Sequence, residues 1–125
     1  MGSQSIRAIT SEAQRKKVVF HLLNDIKALE KMIHEDRFEK GIQRVGAEQE
    51  LCLINDQYRP SLNALKILEK VNDPHFTTEL ALFNLEINLD PVVLQKDCFS
   101  AISHQLNSLL SKVQKAAYEV DNDRI

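Results

Sequence analysis

The stretch from Val45 to Asn55, V-G-A-E-Q-E-L-C-L-I-N, places the tightest constraint on what this chain can fold into. It alternates as a β-strand does, because successive side chains point to opposite faces and residues two apart share one. Val45, Ala47, Leu51 and Leu53 make an apolar face broken only by Gln49, while Glu48, Glu50, Cys52 and Ile54 share the other. A strand is therefore expected from about Arg44 to Ile54. Two like charges side by side in a sheet cost free energy unless something positive offsets them, so the Glu48–Glu50 pair is the first pointer to function.

A second stretch, T-E-L-A-L-F-N-L-E-I-N-L over Thr78 to Leu89, has the same period and is expected to be a second strand. Ala81, Phe83, Leu85, Ile87 and Leu89 fall on one face. Leu80, Leu82, Asn84, Glu86 and Asn88 fall on the other, which turns polar halfway along. Glu79 lies on the apolar parity and so requires a strand edge, a bulge or a partner. Pro91 ends the stretch.

Helical spacing accounts for most of the remainder. Ser11, with Gln14 three positions on, makes a capping box ahead of a long amphipathic helix from about Glu12 to Glu35, with Val18, Val19, Leu22, Leu23, Ile26, Leu29 and Ile33 on its apolar face. Gly41 is a plausible turn on the way out. Ser61 is expected to cap a short helix through Val71, stopped by Asn72-Asp73-Pro74. A last helix is expected from about Ser100 to Val120, capped by Asp97 or Ser100, with a buried stripe from Phe99 to Val120. Residues 1–10 read as a flexible arm and 11–125 as one continuous piece of a domain, its polar tail D-N-D-R-I cut between elements. The fold class is α+β, about three helices packed on a small, mainly antiparallel sheet. Two strands alone leave open edges, so homo-oligomerisation through them is expected.

Composition narrows the partners. Sixteen basic residues against 18 acidic give a net charge of −2 with no long run of one sign, which favours neither nucleic acid nor an anionic membrane. No apolar run approaches the roughly 20 residues of a membrane span, and the N-terminus lacks the apolar segment of a signal peptide. Cys52 and Cys98 form neither a disulfide framework nor a zinc spacing and fit a cytoplasmic protein.

If the two strands are neighbours, Glu48, Glu50 and Glu86 join Asn84 and Asn88 in one patch. Carboxylate and amide oxygens are hard donors that suit Mg²⁺ or Mn²⁺ better than zinc, and such ions take phosphate oxygens as further ligands. An E-x-E strand also occurs as the plain solvent face of an antiparallel sheet. Favouring a metal, the facing strand carries Asn-x-Glu-x-Asn, and no lysine or arginine falls on either polar face.

G-A-E-Q-E-L-C-L-I-N at Gly46 to Asn55, followed by T-T-E-L-A-L-F-N-L-E-I-N at Thr77 to Asn88, resembles the opening blocks of the glutamate–cysteine ligase family, and more closely its bacterial carboxylate–amine ligase branch, family 2. The resemblance extends from the first helix through D-P-V-V-L at Asp90 to Leu94 and the last helix. It implies a fragment of a glutamine-synthetase-like fold whose curved sheet holds ATP and metal ions. It also implies that a carboxylate is activated as an acyl phosphate and attacked by an amine; in the name-giving reaction, the first step of glutathione synthesis, the substrates are glutamate and cysteine. By resemblance Glu48, Glu50 and Glu86 take the metal-ligand role. Asn84 and Asn88 become substrate-binding residues or supports of the metal ligands, as does Glu79. Family chains run several hundred residues. This one covers the first quarter or third, so alone it is expected to be inactive; a non-catalytic assembly module derived from the family is the alternative.

Overall fold

A computed structural model describes residues 8–125; of the arm expected over residues 1–10, residues 1–7 lie outside the described residues. The chain divides into two compact units, Met1–Gly41 and Ile42–Ile125. The first is built on helix α1, Glu12–His34. Its capping box forms as the sequence predicts: the Ser11 hydroxyl accepts from the Gln14 backbone N–H at 3.2 Å, and the Gln14 side-chain Oε1 accepts from the Ser11 N–H at 3.2 Å. The helix has a full apolar face, yet Val18, Val19, Leu22, Leu23, Ile26, Leu29 and Ile33 are between 45% and 62% exposed. Gly41 adopts φ +72°, the left-handed turn that glycine enters without a Cβ penalty.

The second unit contains strands β1 (Arg44–Val45), β2 (Glu48–Cys52), β3 (Phe76–Thr78), β4 (Asn84–Asn88) and β5 (Val92–Val93), with helices α2 (Ala64–Val71) and α3 (Cys98–Asp121). β2, β4 and β3 form an antiparallel sheet in that order, and β1 pairs with β5 in a separate two-stranded ribbon. The α+β class expected from the sequence is the class observed. The helices earn their place through spacing: Ala64, Ile67 and Val71 of α2 and Val113, Ala116 and Ala117 of α3 bury one face each. They meet Leu53, Phe76, Leu85 and Ile87 from the sheet side in one core. Asn72 closes α2 in the left-handed conformation, its N–H bonded to the Leu68 carbonyl.

Three expectations are corrected. The stretch from Arg44 to Ile54 is not one strand; it breaks at Gly46 and Ala47 between the ribbon and the main sheet, and Ile54 makes only isolated bridges to Pro60 and Arg124. Thr78 to Leu89 is not one strand either. Phe76–Thr78 turns through Glu79–Phe83 into Asn84–Asn88, and β3 lies beside β4 with Phe76 opposite Ile87 and Thr77 opposite Glu86. Ser61 does not cap α2, whose first residue follows Asn63. Ser61 is buried and donates to Asp123 Oδ2 at 2.5 Å. The Asn63 amide donates to the same oxygen at 2.9 Å.

The polar tail is thereby tied down. Asp123 is 1% exposed, and its Oδ1 has no hydrogen-bond partner among the described residues. The next residue, Arg124, exchanges both backbone hydrogen bonds with Ile54, at 2.9 and 2.8 Å. Among the described residues, no helix is long and apolar enough to cross a membrane.

Candidate functional site

The register of the sheet decides what shares its polar face. β2 and β4 pair with Glu48 opposite Asn88, Glu50 opposite Glu86 and Cys52 opposite Asn84. Directly paired residues project to the same side, so Glu48, Glu50, Asn84, Glu86 and Asn88 form one patch, as the sequence predicts for neighbouring strands. Thr77 of β3 extends the row beyond Glu86. Leu51, Leu85 and Ile87 point the other way, toward the core. The same alternation that builds the core thus delivers the carboxylates to the opposite face.

The members of the patch differ in environment. Glu48 and Glu50 on the edge strand are exposed, whereas Glu86 on the central strand is only 9% exposed. The Asn88 amide donates to Glu86 Oε1 at 2.6 Å and fixes that carboxylate. The Asn84 amide reaches back to β2, donating to the Leu51 carbonyl at 3.4 Å and to Cys52 Sγ at 3.2 Å.

Glu79 joins the patch by a route the strand pattern concealed. It stands at the start of the loop between β3 and β4, half-buried, with its Oε2 accepting from the Leu80 N–H at 3.2 Å. A hydrogen bond with Glu86 raises its pKa above the ordinary glutamate value, with partial desolvation and the charges of Glu86 and Glu50 adding to the effect. Two carboxylates in hydrogen-bond contact need a proton or a cation between them. Beside the patch, Gly46, Ala47, Glu48, Asn88, Leu89 and Pro91 line an open depression. A Cβ on Gly46 would stand at ordinary van der Waals distance, 3.9 Å, from that of Pro91.

The donor chemistry, carboxylate with amide, fits a hard divalent cation. Among the described residues, however, no three His, Cys, Asp or Glu side chains converge into a ready-made cation cage. Glu50 and Glu86 are direct cross-strand partners, and Glu48 and Glu79 flank them. A Mg²⁺ ion commonly takes only one or two protein carboxylates and completes its shell with water and phosphate, and Glu50 and Glu86 are two carboxylates at paired positions.

A second polar cluster was not singled out from the sequence. His75 Nδ1 lies 2.6 Å from Asp73 Oδ1, and Nε2 lies 3.2 Å from Asp90 Oδ2. Lys112 of α3 donates to Asp73 Oδ2 at 2.5 Å. The Lys112 hydrogen bond, followed by that of the His75 backbone N–H, holds Asp73 far below the usual carboxylate range, and Asp73 followed by Asp90 raises the pKa of His75. The four residues are scattered over 40 positions, so no local motif could have revealed them.

No family model and no curated protein matches this sequence, and no solved structure matches its fold.

Proposed function

We propose that this chain supplies the acidic, metal-binding side of an ATP-dependent carboxylate–amine ligase of the glutamate–cysteine ligase type, as the N-terminal part of a longer cytoplasmic enzyme with a glutamine-synthetase-like fold. The observation that carries the reading is the pairing of Glu50 with Glu86 across β2 and β4, in a patch that also holds Glu48, Glu79, Asn84 and Asn88. The resemblance of Gly46–Asn55 and Thr77–Asn88 to that family supports it.

In this reading Glu50 and Glu86, with Glu48 beside them, hold Mg²⁺ or Mn²⁺. The ion's chemistry is to neutralise phosphate charge during phosphoryl transfer to a carboxylate. Asn88 orients Glu86 for that role through its 2.6 Å hydrogen bond. Asn84 is free in chemistry to offer its amide oxygen to a substrate, since its nitrogen is already committed to β2. Glu79, carrying its proton more readily than an ordinary glutamate, relieves the repulsion of the patch when no cation is bound. Glutamate and an amine such as cysteine are the substrates the resemblance implies.

The test is Mg²⁺-dependent ADP release by the full-length protein, with glutamate and a panel of amines that includes cysteine. Glu50→Gln and Glu86→Gln should each lower turnover at least about 100-fold, roughly 2.7 kcal/mol of barrier, with the circular dichroism spectrum unchanged. Normal turnover in both variants removes the metal assignment. No stimulation by any amino acid removes the ligase reading and leaves an assembly module derived from the family.

A further inference from the structure

We propose that His75 is an imidazolium clamp that ties the start of β3 to the segment leaving β4, and that it opens at the Asp90 side as pH rises. The argument begins with the inventory of donors. A carboxylate accepts hydrogen bonds and donates none, while a neutral imidazole has a single N–H. Both ring nitrogens of His75 face carboxylate oxygens, at 2.6 Å from Asp73 and 3.2 Å from Asp90. Both contacts are satisfied together only if both nitrogens carry protons. The neutral ring would turn one lone pair toward a negative oxygen.

The two contacts are unequal. Asp73 is held from three directions: its Oδ1 accepts from the His75 backbone N–H at 3.0 Å as well as from the ring, and its Oδ2 accepts from Lys112. Its side chain is 14% exposed, against 78% for Asp90. The proton on Nε2, facing the longer and wetter contact, is therefore the one released to bulk water, and Nδ1 keeps its bond to Asp73.

The groups around the ring come from every neighbouring element. The loop before β3 brings Asp73, the segment after β4 brings Asp90, and α3 brings Lys112 onto Asp73 and Gln105 onto the Asp90 backbone. On the far side of Asn88, β2 brings Glu48. All the charges that meet the ring directly are negative, and they keep it protonated to a higher pH than free imidazole.

Opening the clamp would reach the acidic patch through the backbone. The His75 carbonyl accepts from the Asn88 N–H at 2.7 Å, and the Asn88 side chain fixes Glu86. The clamp itself requires no ligase activity.

The experiment is a pH titration of the whole chain by long-range proton–nitrogen NMR of the histidine rings, with hydrogen exchange of backbone amides in the same samples. Both ring nitrogens of His75 should be protonated above the midpoint of free imidazole, about pH 6.5. On further increase Nε2 should lose its proton first, and exchange at the Asn88 amide should accelerate beyond that at Leu85. Asp90→Asn should move the His75 midpoint down. A His75 midpoint at or below that of free imidazole, loss of the proton from Nδ1 first, or an Asn88 amide that tracks Leu85 throughout would overturn the clamp. The unaltered protein decides all three points, so the proposal stands or falls even where the variant does not fold.

Discussion

Glu50 and Glu86 stand directly opposite one another across β2 and β4, and the charges of both help to raise the pKa of Glu79. Like charges at directly opposed positions destabilise a sheet. Glu50→Gln should therefore raise the urea midpoint at pH 7 in the absence of divalent ions. Added Mg²⁺ should raise the midpoint of the parent protein more than that of the variant, because a ligand stabilises the folded state according to its affinity. An equal Mg²⁺ effect on both proteins would place the ion elsewhere.

Asp73 and His75 give the stability curve two limbs of opposite sign. Asp73 titrates lower in the folded chain than when unfolded, so its contribution is present above about pH 3.9 and is lost as pH falls through the folded value. His75 titrates higher when folded, so its contribution is complete below about pH 6.5 and is lost as pH rises through the folded value. Lys112→Met removes the largest cause of the Asp73 shift. Denaturant melts should show it less stable by about 1 kcal/mol at pH 6, a modest figure because the lysine end is half exposed. The two curves should converge in strong acid.

Asp123→Ala leaves the buried Ser61 hydroxyl without its acceptor, which costs about 1–3 kcal/mol, while the Asn63 amide keeps Ser61 Oγ and Asp121 Oδ2 as acceptors. Asp123→Asn retains an acceptor oxygen and should lose less. Thermal melts of the two variants beside the parent measure the difference.

What the sequence revealed followed the strength of its local signals. The capping box at Ser11 and the long periodic run behind it located α1, and the third helix was found within two residues at its start. The polar patch was legible because the two-residue period put Glu48 with Glu50 and Asn84 with Glu86 and Asn88. The hairpin was hidden because Ala81 and Phe83 keep the alternation going through a five-residue loop that contains no Gly, Pro or Asn to mark a turn. Ser61 was assigned to a helix cap because a serine ahead of an apolar period normally takes that role. Its actual partner, Asp123, lies 62 positions away, beyond the reach of any local rule. The His75 cluster was illegible for the same reason.

The hairpin separates two kinds of acidic group. Glu86 belongs to a central strand, hydrogen-bonded on both sides, and has little freedom to move. Glu79 hangs on a loop whose next residue, Leu80, is fully solvent-exposed. The far end of the loop is anchored, because the Leu82 and Phe83 carbonyls accept from the Ala64 and Leu53 N–H groups, so the room for change lies at Leu80, beside a carboxylate that meets a fixed counterpart. Substitution at Leu80 would thus change how Glu79 meets Glu86 and leave the strand that holds Glu86 intact.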